Sequence, residues 1–284
     1  MSGKIGVLII HGMGSQQPGF SDGLSDELRH RLGQLESRFE WKEIFWAKAL
    51  KKREDKLWKW MQKAKNEKKQ AIDLDWIPIR EFVVHNFGDA IAYHRDLQES
   101  ESAYSLVHQI IAKAVGELDK KLNDPQAPII VLAHSLGAHM MSNYIWDQQH
   151  GPDPSFTPIP NLLAMITFGC NIPLFSLAFP VAKPISVPGK GIKKASLVKV
   201  SKWHNFLDPD DVLGWPLKPL YKKNLAQLTP EQKKTVRRIV DHDINVGSLM
   251  TSWNPAAHAD YWTDNDFTKP VTQYLRQVVQ ALDA

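Results

Sequence analysis

Cysteine is almost absent: the 284 residues contain one, Cys170, so no internal disulfide can form. The chain opens MSGK followed by a six-residue apolar run, without the basic start, long apolar stretch and small-residue cleavage site of a secretory leader. Together these absences point to a reducing, cytoplasmic setting. No stretch approaches the roughly 18 consecutive apolar residues of a membrane-spanning helix, so the expectation is a soluble chain. There is also no large excess of one charge. Lys plus Arg number 35 and Asp plus Glu 31, and a net +4 over this length demands no nucleic-acid or membrane partner by itself. Internal repeats are missing, and biased composition is confined to one basic segment. What is present is ordinary: 43% hydrophobic and 23% charged residues exclude a disordered chain, a collagen or a disulfide miniprotein and supply a sizeable core. The length is about twice the usual prior for one domain, yet α/β sheets of this size often form a single unit, so 1–284 is read as one decorated domain.

Ile5 to Ile10 (IGVLII) is a continuous, β-branched apolar run ending at the turn-forming HGMGSQQPG, which predicts a buried strand feeding a loop. Leu24, Leu28, Leu32 and Leu35 predict an amphipathic helix between Ser21 and Leu35. Extended segments are expected at Trp41 to Trp46 and Arg80 to Val84. Leu106, Ile110, Ala114 and Leu118 recur every four residues within Ser102 to Leu122, a helix that Asn123 to Pro128 breaks. Ile129 to Ala133 (IIVLA) repeats the buried-strand signature, and Leu136 to Gln149 carries Leu136, Met140, Met141, Tyr144 and Ile145 on one helical face. Further strands are predicted at Leu162 to Phe168, Leu197 to Val200 and Ile239 to Val246, with a loop from Gly151 to Pro160. Apolar strands alternating with helices imply a mostly parallel sheet covered on both faces.

One segment departs from this pattern. Between Lys48 and Lys69 stand ten basic residues against Glu54, Asp55 and Glu67, interleaved with Leu50, Leu57, Trp58, Trp60 and Met61. It reads as a basic helix with an aromatic side within a helical insertion at 47–76. Two uses are open: a solvated helix packed over the domain, or peripheral contact with an anionic membrane through 48–69.

The chemistry concentrates at AHSLG, Ala133 to Gly137, on the joint between the IIVLA strand and the helix after it. A serine on so sharp a turn needs small neighbours two residues to either side, because strand and helix nearly touch; Ala133 and Gly137 satisfy that. Ser135 would then project its hydroxyl above the carboxyl edge of the sheet, at the positive end of a helix. The plain alternative is a serine that caps the helix. His11-Gly12-Met13-Gly14 follows the first strand as a glycine-rich turn whose N–H groups can point inward. It lacks the Gly-Lys-Ser/Thr end of a phosphate loop. An acyl-transfer site needs two preorganised donors for its oxyanion, and the natural pair here is the N–H of Met13 and the N–H of Leu136.

Through IGVLIIHGMG, IIVLAHSLG and the carboxyl-terminal HADYW the sequence resembles the α/β-hydrolase family, in particular its lipase- and esterase-like bacterial members, over nearly the whole chain and in the right order. The resemblance implies a carboxylic ester hydrolase, with an acid after a late strand and a histidine after the last. Asp208, Asp210 and Asp211 lie just beyond the strand expected to end near Val200. Asp211 is preferred because DVLGWPL resembles the family's acid followed by a small apolar turn and proline; Asp208 and Asp210 stay open, each able to cap the turn instead. For the base, His258 in AHADYW falls after the last strand, whereas the competitor His242 sits inside the strand pattern of DHDINV. Asp241 and Asp243 flank His242, but neighbours in a strand point to opposite faces, so the three do not converge; no metal site is expected, and no cofactor. His134, His139, His85, His94 and His108 read as packing or surface residues, and Cys170 as apolar packing.

The apolar, proline-broken Cys170 to Val187, within a loop insertion at 170–195, could wall an acyl pocket, with Trp58, Trp60 and Met61 adding to its lining. The expected substrate is a small-molecule or lipid ester. Two rivals stand beside it: a thioesterase, amidase or acyltransferase on the same site, and a hydrolase-shaped interaction module with an idle serine. Oligomeric state leaves no trace in these residues.

Overall fold

The computed structural model describes residues 3–14, 16–65, 68–71, 73–94, 99, 101–151, 156–247 and 255–284. At its centre are six strands: β1 (Ile5–Ile10), β2 (Phe39–Ile44), β3 (Ile129–His134), β4 (Leu162–Phe168), β5 (Trp203–Leu207) and β6 (Ile239–Asp243). They hydrogen-bond in the order β2-β1-β3-β4-β5-β6, and every pairing is parallel. The helices are α1 (Asp22–Leu32), α2 (Lys48–Gln62), α3 (Ile77–Phe82), α4 (Gly88–Ala92), α5 (Ala103–Leu122), α6 (Leu136–His150), α7 (Ile172–Phe175), α8 (Ala195–Val200), α9 (Lys218–Lys222), α10 (Pro230–Arg238) and α11 (Asn265–Asp283), with a π turn at Val83–Phe87 joining α3 to α4. This is the α/β class with a parallel central sheet and surrounding helices that the sequence predicts.

Strand alternation builds two cores. Leu8, Ile10, Val131, Ala133 and Met165 face α5 and α6, whereas Ile5, Val7, Ile9, Ile130, Leu132 and Ile166 face α1 and α11. Each such aliphatic side chain contributes about 1.5–3 kcal/mol by leaving water, which fixes the register of the sheet. The long crossover helix α5 starts where the Ser102 side chain accepts the Ser105 N–H and stops at Asn123 in the left-handed conformation, φ 47.

The chain leaves β1 for β2 on one side and returns to place β3 on the other. In an open parallel sheet such a reversal parts the loops at the carboxyl ends and makes room for a ligand. Here the two loops at the reversal are His11 to Gly14 and Ser135.

Two expected strands are helices. Leu197 to Val200 belongs to α8, and the strand lies further on, at Trp203–Leu207. Apolar patterning hid it because β5 carries polar residues inward: the buried Asn205 accepts from the Thr167 hydroxyl at 2.8 Å and donates to Asp241 at 2.8 Å, so its polarity is satisfied within the sheet. Arg80 to Val84 falls in α3 and the π turn, where Pro78 suits a first helical turn and Phe82 and Val83 face outward, away from any sheet. An apolar run of that length does not distinguish strand from helix. The last strand also ends earlier than expected, at Asp243. The insertion expected at 47–76 continues through α4.

Candidate active site

Ser135 joins β3 to α6 with φ 50 and ψ −124, a conformation that L-residues avoid and that costs about 1–3 kcal/mol. The turn is held by the Ser135 N–H donating to the Phe168 carbonyl at 3.0 Å and by the Ala138 N–H donating to the Ser135 carbonyl at 2.9 Å. Any Cβ at Gly137 would collide with the His11 carbonyl oxygen, so the close approach of α6 to the first loop depends on glycine there. A Cβ at Gly12 would lie 2.6 Å from the Ser135 Cβ. The glycine turn therefore rests directly on the serine.

His258 reaches this point from a 3-10 stretch, Pro255–Thr263, rather than from an open loop. Its Nε2 is 2.6 Å from Ser135 Oγ and its Nδ1 is 2.9 Å from both Asp211 carboxylate oxygens. A neutral imidazole has one donor, so this geometry assigns the Nδ1–H to Asp211 and leaves Nε2 to accept the serine proton. Asp211 also accepts from the Leu213 N–H and the Tyr261 hydroxyl, each at 2.9 Å. Burial pushes its carboxyl up, but the His258 hydrogen bond and charge, joined by these two donors, outweigh it and hold the group below the ordinary carboxylate value.

Of the three candidate acids, only Asp211 bonds His258. Asp208 caps its own turn, accepting from the N–H groups of Asp210 at 2.8 Å and Val246 at 2.6 Å, and Asp210 is exposed. His242 lies on the edge strand β6 with its Nε2 2.8 Å from His204 Nδ1, remote from Ser135.

The glycine turn is organised by His11. Burial lowers its pKa to about 4, so it is neutral at pH 7; Nε2 accepts from the N–H groups of Trp46 and Ala47, and Nδ1–H donates to the Gly12 carbonyl at 2.7 Å. Because the Gly12–Met13 peptide is trans, fixing that carbonyl fixes the Met13 N–H in the opposite direction. Met13 N–H has no partner among the described residues. The Leu136 N–H does: Asn171, oriented to satisfy its own amide, accepts from it at 3.3 Å and donates to the Ser135 carbonyl at 3.0 Å.

The expectation of an open hydroxyl is not met. Ser135 is 0% exposed, covered where the Gly12 backbone, the Asn171 amide and His258 pack on it, and the His258 side chain keeps 13% exposure. Three further residues escaped the sequence reading. His134, read as packing, makes its Nε2 bond to the His258 carbonyl at 2.8 Å; burial lowers its pKa to about 3, which keeps it a neutral donor. Tyr261 bridges the Asp208 N–H (2.8 Å) and Asp211; its place three residues after His258 in HADYW was the available signal. Asn171 gave none. Among the other histidines, His85 bonds Glu54, His108 bonds Tyr93, His139 stacks on Phe175 and His94 is exposed. Burial raises the Cys170 thiol to about 12, which leaves it no thiolate.

A cavity of about 500 Å³ lies along α6 and α7, lined among others by His139, Trp146, Ile172, Phe175, Phe179 and Val181; Ser135, His258 and Asp211 are not part of its lining. His139 stands one helical turn beyond Ser135, and Ile172 follows Asn171. The loop from Cys170 supplies much of this wall, but Trp58, Trp60 and Met61 do not reach it, being carried away on α2. Among the described residues no cluster of His, Cys, Asp or Glu could hold a metal, and no helix is long and apolar enough to cross a membrane.

No known family model and no curated protein matches the chain in sequence. Among solved structures, a cutinase-like protein from Cryptococcus sp. is similar at 12% identity and a TM-score of 0.42, over 99% of this chain and 96% of that one. A superposition that loose says nothing of chemistry, which rests on the residues above.

Proposed function

We propose that this chain is a serine hydrolase that cleaves a carboxylic ester with an apolar acyl group. One observation carries the reading: a single imidazole lies 2.6 Å from a serine hydroxyl on one side and 2.9 Å from a buried carboxylate on the other. Ser135 Oγ attacks the ester carbonyl carbon as its proton passes to His258 Nε2, and Asp211 stabilises the imidazolium. The Met13 and Leu136 N–H groups receive the oxyanion, the latter once the Asn171 amide has moved aside; each such donor is worth about two to three powers of ten in kcat. Collapse breaks the bond to the alcohol, which leaves with the His258 proton. Water then gives a proton to His258, attacks the acyl-serine and releases the acid, returning the proton to Ser135. The apolar cavity whose wall begins at His139, one helical turn beyond Ser135, and at Ile172, next to Asn171, would take the acyl chain.

A fluorophosphonate probe tests this. Labelling of the native protein that Ser135→Ala and His258→Ala abolish is the expected result, together with p-nitrophenyl ester turnover that depends on acyl length. No turnover above the Ser135→Ala control at any length removes the esterase. A thioester and amide panel reads whether another acyl transfer is preferred at the same site. One observation favours the module with an idle serine, namely that Ser135 is wholly buried. A native protein that never labels assigns the chain to that reading.

A further inference from the structure

The insertion between β2 and β3 takes no part in the chemistry above, and it turns two unlike stripes outward. On α2, Lys52, Lys56, Lys59 and Lys63 follow one another at spacings of four, three and four, which places them on one side of the helix. All are exposed, and Trp60 stands beside them, 64% exposed, with Lys56 Nζ 4.7 Å from its ring. Leu50, Glu54 and Trp58, on the opposite side, face inward. Lys48 to Lys69 holds ten basic residues against three acidic ones in a chain whose net charge is only +4, so the remainder of the protein is net acidic. The next stretch adds the exposed acids Asp73, Asp75 and Glu81 and the base Arg80, and the insertion stays cationic.

The second stripe is apolar. Ile79, Val83, Phe87 and Ile91 recur every four residues along α3, the π turn and α4. A π turn takes up more residues than an α turn, so this spacing keeps all four on one face, while His85 and Asp89 occupy the buried face. With Phe82 the four are between 42% and 75% exposed. The two stripes belong to helices joined on their inner sides, where Glu54 Oε2 and His85 Nδ1 are 3.1 Å apart.

Exposed apolar stripes of this extent mark a contact surface, and the charge beside this one selects the partner. Protein interfaces are depleted in lysine, and a second copy docked by the same patch would set two lysine stripes against each other. An anionic bilayer satisfies both stripes at once. Lysine heads meet lipid phosphates while Trp60 and the aliphatic and phenyl groups enter the acyl boundary. We propose that this insertion docks the protein peripherally on an anionic membrane. The surface lies beside the site, since the Asp89 carboxylate oxygen accepts the Gly14 N–H at 2.9 Å. It does not depend on the hydrolase reading.

Co-sedimentation of the full chain with vesicles of phosphatidylcholine, with and without about 30 mol% phosphatidylserine, tests it. Binding to the anionic vesicles alone, weakening as salt rises towards about 0.5 M, is the expected result. Replacing Lys52, Lys56, Lys59 and Lys63 by Glu should weaken binding more than about tenfold, and so should Ile79→Ser, Phe87→Ser and Ile91→Ser combined. All seven positions are exposed, so both variants should keep the parent's thermal transition, and the salt titration reads the electrostatics in the unsubstituted chain. No binding to anionic vesicles, or binding that survives both sets of substitutions, overturns the proposal. So does a dimer that the serine substitutions dissolve in a protein that ignores vesicles.

Discussion

Gly12→Ala isolates the contact between the glycine turn and the serine. The new Cβ would stand 2.6 Å from the Ser135 Cβ, 2.9 Å from His134 Nδ1 and 3.2 Å from Ser135 Oγ. Carbon atoms rest about 3.5–4.0 Å apart, so the two backbones must part by roughly 1 Å. Overpacking of this kind costs about 1–3 kcal/mol, which leaves a domain of ordinary stability folded. The chemistry has less room. Met13 follows Gly12 and moves with it, and a donor displaced by about 1 Å loses on the order of a hundredfold in rate. The measurement is kcat/KM for a short p-nitrophenyl ester beside the rate of fluorophosphonate labelling and a thermal melt. Gly88→Ala is the matched control: a helical glycine whose Cβ would meet nothing within 4 Å, where alanine should stabilise by about 0.4–1 kcal/mol and leave the rate unchanged. A Gly12→Ala protein that melts and turns over like the parent would refute the close approach and the oxyanion role built on it.

Tyr261→Phe removes a hydrogen bond to a buried carboxylate, worth about 1.5–3 kcal/mol, and orphans the Asp208 N–H. Because Asp211 is depressed in the folded state, its contribution is present above the unfolded value and lost as pH falls through the folded one; weakening the depression should move the acid-unfolding midpoint to higher pH in a fluorescence titration. Asp89 is shifted the other way, raised by burial and by the neighbouring Glu54. Its proton is retained on folding, so stability falls as pH rises above the unfolded carboxylate value. Asp89→Asn keeps an acceptor for the Gly14 N–H and should raise the urea midpoint at pH 8 while leaving it unchanged near pH 4; an equal effect at both would contradict the assignment. Ala182→Phe, at the cavity wall, should shift the preferred p-nitrophenyl ester to shorter chains, and an unaltered profile would detach the cavity from the substrate.

Strands β1, β3 and β4 were the most legible because they are apolar on both faces and nothing but burial explains such runs, and β2 and β6 were found with shifted ends. β5 was not, since WHNFL places an asparagine inside, and the partners of Asn205, Thr167 and Asp241, come from neighbouring strands that no local window contains. The same division runs through the site. Ser135 and the glycine turn were visible because their geometry is local, and Asp211 and His258 because they follow late strands in an order the resemblance supplied. His134, Tyr261 and Asn171 act through contacts of long sequence separation, and each is a common residue type with an ordinary packing use. The burial of Ser135 was likewise illegible, because it depends on how three loops close over one turn.

The strained serine shows why those unforeseen residues matter. Holding Ser135 at φ 50 costs about 1–3 kcal/mol, and the bonds to Phe168, Ala138 and Asn171 return about 0.5–1.5 kcal/mol each. The two sides nearly balance, so the elbow is stable only while strand β4 and the start of α7 stay in place. His258 depends on equally distant support. Its carbonyl is tied to β3 through His134, and its carboxylate partner is tied through Tyr261 to Asp208, which in turn fixes the chain after β6 at Val246. The ends of β3, β4, β5 and β6 thus hold one another through Ser135, His258 and Asp211, and loosening any one end misaligns all three. Losses from paired substitutions in this network should therefore fall short of their sum, as they do wherever residues act as one unit.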